Sequence, residues 1–224
     1  MKRFTSSILI LVFAALFASQ AFAGIFVSAT IAPPPLPVYA QPPCPGDGYI
    51  WTPGYYAYGD YGYYWVPGAW VLAPRPGFLW TPGYWGWGSG RYLWHAGYWG
   101  PRVGFYGGVN YGFGYFGTGF AGGRWVGNSF HYNTAVTNVN VTNIHNTYVD
   151  RTVVRNVNNT TVNHSYYGPG GVAAQASHHE MAASRGTHQG PTQAQVSHAQ
   201  AAHSAHMASH AAAPHGGGGR GGHR

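Results

Sequence analysis

The chain is 224 residues long, 17% aromatic and only 7% charged, with a formal net charge of +7 at neutral pH. A typical globular protein is about a quarter charged, so this composition predicts poor colloidal solubility and a tendency to associate. The basicity comes from missing acids, no Arg/Lys run interleaves with the aromatics as in a nucleic-acid site, and the single cysteine, Cys44, excludes an internal disulfide.

Residues 1–23 read as a secretory signal. Lys2 and Arg3 supply the positive start, residues 8–17 are an uninterrupted apolar run, and Ala21-Phe22-Ala23 gives the small-x-small cleavage pattern before Gly24. The run falls short of the roughly 20 residues a bilayer span needs, and no second one follows, so no transmembrane segment is expected after cleavage. Cys44 lies too far downstream for a lipoprotein signal. The mature chain is expected outside the cytoplasm, in the periplasm, at the cell surface or in the medium. Setting Lys2 and Arg3 aside leaves nine arginines against Asp47, Asp60, Asp150 and Glu180. Residues 24–47 follow as a Pro-rich linker (Pro33-Pro34-Pro35, Pro37, Pro42-Pro43) expected to be extended. Cys44 within it reads as an incidental thiol, with an intermolecular bridge as the alternative.

Residues 48–100 hold the strongest signal. Trp51, Trp65, Trp80 and Trp94 are spaced 14, 15 and 14 apart. Two residues before each stands an aromatic (Tyr49, Tyr63, Phe78, Tyr92), and five after each stands another (Tyr56, Trp70, Trp85, Trp99). Gly54, Gly68, Gly83 and Gly97 lie three after each tryptophan, preceded by Pro53, Pro67 and Pro82 in the first three units and by Ala96 in the fourth. Pro-Gly is turn chemistry. A reversal there puts Trp65 opposite Trp70 and Tyr63 opposite Leu72, one small hairpin per unit. A proline at the first turn position cannot take the mirror-image turns of tight hairpins, so a wider loop is expected. Burying four or five aromatics yields roughly 20–25 kcal/mol gross, and ordering a unit costs about 21 kcal/mol. Single units should therefore be unstable and must stack within or between chains.

The pattern Tyr63-x-Trp65-x-x-Gly68-x-Trp70, repeated as Tyr92-x-Trp94-x-x-Gly97-x-Trp99, resembles the WXXGXW/YXWGXW-repeat family of exported bacterial proteins. Gly122-Gly123-Arg124-Trp125-x-Gly127-Asn128 and Tyr132-Asn133-Thr134 resemble sequence found downstream in such proteins. Two units depart from the motif, the first ending in Tyr56 and the third opening with Phe78. The resemblance implies export and architecture. It implies no activity.

Residues 101–168 form a Gly/aromatic and Val/Thr/Asn region expected to be β-rich. Tyr111-Gly-Phe-Gly-Tyr115 reads as a strand with aromatics on one face, Trp125 with Phe130 as a degenerate fifth unit, and Val136 to Val157 as strand. Residues 169–224 are a low-complexity Ala/Gln/His tail, expected to be largely disordered, with one helix from about Gly190-Pro191-Thr192 towards Ser209 that has no apolar face to bury and frays.

Catalytic motifs are missing. Asp47 and Asp60 look like turn residues rather than a glycosidase pair, and there is no Gly-x-Ser-x-Gly elbow, His-Glu-x-x-His, phosphate loop or Cys-x-x-Cys. Two binding readings remain. The repeat aromatics either form core or stack on sugar rings, with Tyr55, Tyr64, Trp87 and Tyr98 as rings to spare. In the tail, His203, His206 and His210 fall at i, i+3 and i+7, a face that can bind Zn²⁺, Ni²⁺ or Cu²⁺ weakly; no other cofactor is expected.

The expected fold is all-β: tandem short aromatic hairpins, a Gly/Asn-rich strand region and a His-rich tail. The expected function is that of a non-catalytic structural or interaction protein of the cell envelope, self-associating or docking on envelope components through aromatic repeat surface. Polysaccharide or peptidoglycan binding on Trp/Tyr platforms is one alternative, and periplasmic metal binding by the tail another. Nucleic acid is not an expected partner.

Overall fold

The chain reverses between the Trp-Pro-Gly units, and the Pro-Gly pairs themselves are passed in extended conformation. In a computed structural model that describes residues 27–155 and 164–212, β2 (Tyr49–Thr52) and β3 (Tyr55–Gly59) run out, and β4 (Gly62–Val66) and β5 (Ala69–Leu72) run back. Trp51 faces Trp70, Tyr49 faces Leu72, and Tyr56 faces Trp65. The second pair of units repeats this with β6 (Leu79–Thr81), β7 (Tyr84–Gly88), β8 (Arg91–His95) and β9 (Tyr98–Gly100), where Trp80 faces Trp99 and Trp85 faces Trp94. The aromatic hairpin repeat is therefore present, but a hairpin spans two units. The expected pairings of Trp65 with Trp70 and Tyr63 with Leu72 are replaced by pairings between units.

Turn chemistry explains the difference. The second reversal uses Ser89 (φ 52°) and Gly90 (φ 75°), both left-handed, as a two-residue mirror-image turn requires. Proline, locked near φ −65°, cannot take that role. The first reversal runs through Asp60 and Tyr61, and Gly62 at φ 94° closes it. Instead, Pro53-Gly54 meets Pro67-Gly68 across the first ribbon and Pro82-Gly83 meets Ala96-Gly97 across the second, and the ladder is interrupted there, where proline has no N–H to donate. A Cβ built on Gly54 would stand 2.9 Å from the Gly68 nitrogen, and one on Gly68 would stand 3.0 Å from the Gly54 nitrogen. None of Gly54, Gly68, Gly83 and Gly97 has a positive φ. These glycines serve close approach.

Around the two ribbons the rest of the described chain is packed. β1 (Ser28–Ala29) and β15 (Tyr166–Tyr167) extend β7–β8 into a four-stranded sheet in the order β1-β8-β7-β15. The Pro-rich segment is extended, but it lies on the hairpins: Leu36, Gln41 and Cys44 are buried, and the Tyr39 ring contacts Trp51, Trp65 and Phe113. Gln41 accepts from the Asn138 backbone N–H at 2.7 Å, and the Asn138 side chain donates back to the Gln41 carbonyl at 2.8 Å. Cys44, buried and donating to the Gly46 carbonyl, is shielded from an intermolecular bridge.

Residues 111–115 make a tight reversal between β10 (Asn110–Gly112) and β11 (Tyr115–Phe116), where a single strand was expected. Gly112, Phe113 and Gly114 are all left-handed, and Tyr111 and Tyr115 both turn inward. The anticipated fifth unit is a third hairpin, β12 (Gly123–Val126) with β13 (Ser129–Asn133), whose Trp125 faces Phe130. The Val/Thr/Asn tract is mostly turn, with only β14 (Thr147–Tyr148) pairing in parallel to β13 and one helical turn at Thr152–Arg155. Its asparagines hydrogen-bond local backbone in competition with a ladder: Asn133 Oδ1 accepts from the Ala135 N–H and Asn140 Oδ1 from the Thr142 N–H.

The helix expected from about Thr192 is present as α2 (Gln193–Ala211), and a second, α1 (His178–Arg185), stands where disorder was expected; each is opened by a capping box, Ser177 with Glu180 and Thr192 with Gln195. α2 lies across β4 and β5. Its docking needs no aliphatic stripe, because imidazole faces lie against tyrosine rings there. The proposed signal (1–23), the end of the β-branched tract and the last histidines lie outside the described residues.

Candidate functional site

Each tryptophan that opens a unit is seated on a glycine of the opposing unit. A Cβ on Gly68 would clash with the edge of the Trp51 ring, one on Gly54 with the Trp65 ring, one on Gly97 with the Trp80 ring and one on Gly83 with the Trp94 ring. The relation is reciprocal within each hairpin. It requires the three-residue Trp-to-Gly spacing, because the backbones cross at the two facing glycines and each indole lies over the crossing. The second aromatic of each unit closes the ring cluster from the other strand: Trp51–Trp70, Tyr56–Trp65, Trp80–Trp99 and Trp85–Trp94 have centroids 5.2–5.4 Å apart, tilted or edge-on.

Of the twelve motif aromatics, Trp51, Phe78, Trp80, Trp85 and Trp99 are buried. Tyr49, Tyr56, Tyr63, Trp65, Trp70, Tyr92 and Trp94 are half-buried. The rings thought spare are largely engaged as well. Tyr55 stacks on Trp94 (5.0 Å), Tyr64 on His206 (4.9 Å), and Tyr98 lies against His188 (5.0 Å). Only Trp87 among them is exposed, at 39%.

Burial sets the tyrosine chemistry. Desolvation, reinforced by neighbouring hydroxyls, pushes Tyr55 and Tyr84 up to about 12, and raises Tyr63 and Tyr111 further. These phenols are neutral donors at physiological pH. Tyr63 donates to the Ile31 carbonyl (2.9 Å), Tyr111 to Gly83 (2.7 Å) and Tyr115 to Trp80 (2.9 Å). The acids serve the backbone. Asp150 accepts from the Thr152 N–H and hydroxyl, which hold its carboxyl below the usual range, and Glu180 caps α1 by accepting from the Ser177 N–H at 2.8 Å. Asp47 and Asp60 are exposed, Asp60 at a hairpin tip.

The histidine face is real, but its occupants are rings. His206 stacks on Tyr64, His210 on Tyr61 at 4.4 Å, and His203 leans on Tyr64 at 5.5 Å. Among the described residues no three His, Cys, Asp or Glu side chains form a group that could hold a metal. His203, His206 and His210 thus serve in packing, imidazole and phenol presenting matching flat surfaces.

The two hairpins and α2 enclose a partly open cavity of about 450 Å³. Its walls come from the Pro-Gly crossings of both ribbons, including Pro53, Pro67, Pro82, Gly83 and Gly97, with Tyr55, Tyr64, Trp80, Trp94 and Tyr111 as rings. α2 supplies the roof through Gln195, Val196, Ala199 and His203. The turn residues of the motif therefore line a cavity. Sequence reasoning passed over the roof, although Gln195, Ala199 and His203 recur every four residues on one helical face.

Two copies of the WXXGXW repeat match the chain, at residues 46–71 and 75–99. Each copy coincides closely with one long hairpin. No curated protein matches the chain, and no solved structure does.

Proposed function

Starting from a chain that carries two WXXGXW repeats, each folded as one hairpin, we propose an exported, non-catalytic structural or interaction protein of the bacterial cell envelope. The observation that carries this reading is the enclosure of the motif aromatics: the repeats spend their rings on a scaffold, with none of the twelve fully exposed. The charge-poor surface and short two-stranded sheets leave strand edges and a few tip rings, Tyr61 and Trp87, for contact with like chains or envelope components. Export rests on residues 1–23, and no helix among the described residues is long and apolar enough to cross a membrane. The non-catalytic reading is supported by Glu180 capping α1, by Asp150 accepting from Thr152 and by internally bonded tyrosines. Ring enclosure also favours the scaffold over a sugar-stacking platform.

The test is fractionation of cells expressing the full chain, followed by sedimentation of the purified product. We expect a protein beginning at Gly24 in the envelope fraction, which associates with rising concentration and less so as Trp87→Ser. A full-length chain in the cytoplasm, or a product that stays monomeric and unattached to envelope at every concentration, would contradict the proposal.

A further inference from the structure

We propose that the cavity between the two hairpins is a binding site for a small, uncharged, ring-bearing apolar molecule, with α2 as its roof. Its volume of about 450 Å³ falls in the range of small-molecule sites. No Asp, Glu, Lys or Arg lines it, so a charged ligand would lose its hydration without a counter-charge. Several polar groups at its wall are already committed: Thr52 Oγ1 donates to Ala69, Tyr111 to Gly83, His198 Nε2 bonds the Pro67 carbonyl, and Gln195 Oε1 accepts from Trp99 Nε1. The wall is mainly apolar, which suits an apolar molecule better than a sugar with its several directed hydrogen bonds. A flat apolar molecule finds Tyr55, Trp94, Trp80 and Tyr64.

The space is hollow because the groups facing it are small. Ala69 looks in from β5, Ala199 from α2, and Gly83 and Gly97 from the crossing. The roof is a separate piece. α2 has no buried residue of its own, and its N-terminal half, from Gln195 to His203, lies over the cavity, held by the His198–Pro67 hydrogen bond and by contacts towards both ends. At the N-terminal end Gln195 holds Trp99, whose backbone also pairs with Gln189 in both directions at 2.8 Å. At the C-terminal end His206 and His210 stack on Tyr64 and Tyr61. A concave, mainly apolar wall with a few polar groups is the usual lining of a small-molecule site.

The experiment is a fluorescence titration of the purified protein with the neutral probe N-phenyl-1-naphthylamine, comparing wild type with Ala199→Trp and Ala69→Leu, which fill the cavity from roof and wall, and with Ala201→Trp on the opposite side of α2. Circular dichroism verifies the fold of each; should one filling variant fail to fold, the other decides. The expected result is saturable 1:1 binding in wild type and A201W, displaced by naphthalene and weakened about tenfold or more in the filled variants. Non-saturable uptake, equal binding in all folded variants, or displacement by a neutral oligosaccharide but not by naphthalene would overturn it.

Discussion

Gly68 and Gly54 show how one missing Cβ organises this protein. Neither has a positive φ, so alanine would suit the backbone, yet its methyl would meet an indole and a facing backbone nitrogen at about van der Waals overlap. Backbone cannot retreat as a flexible side chain can, so we predict that Gly68→Ala costs about 1–3 kcal/mol in urea denaturation. Gly46→Ala, where nothing lies within 4 Å, should stay within about 0.5 kcal/mol of wild type. A cost at Gly68 no larger than at Gly46 would mean the seat is not there. The spacing of tryptophan and glycine was legible from sequence alone. Which glycine each tryptophan uses was not, because the partner sits in the neighbouring unit and a periodic sequence offers the same glycine at every period.

At the level of elements, one dipeptide has two uses. Pro-Gly can reverse a chain or let two strands cross closely, and composition does not separate them. The discriminating residues were the loops between units: Gly-Asp-Tyr-Gly at 59–62, and Ser89-Gly90, whose left-handed pair matches a tight hairpin. Asparagine tolerates that conformation better than serine. Ser89→Asn should therefore stabilise the fold by about 0.5 kcal/mol in the same denaturation assay, and a loss of stability would argue against this turn. The capping box of α2 was equally legible, with Thr192 standing three before Gln195. Its docking was not. A helix without aliphatic periodicity reads as solvated, and a His face reads as ligands, until Tyr61 and Tyr64 are seen to lie beneath it. The Val/Thr/Asn tract failed for a related reason: β-branched residues favour strand, while the interleaved asparagines bond local backbone.

The molecule as a whole solves the problem a single unit cannot. Two ribbons, the Pro-rich segment, the third hairpin and the helices bring their rings together, and the core cluster runs from Leu36 through Trp51 and Trp99 to Ile144. That a linker-like segment joins this core was hidden by its prolines, which predict extension but not what the extended chain lies against. That the repeat rings are core can be checked by tryptophan fluorescence of the purified protein with acrylamide, using Trp87→Phe to remove the exposed indole. Trp51, Trp80, Trp85 and Trp99 are each at most 8% exposed, so blue-shifted emission that resists quenching is expected, the accessible fraction falling further in W87F. Red-shifted emission quenched as readily as free tryptophan, and unchanged by W87F, would contradict it.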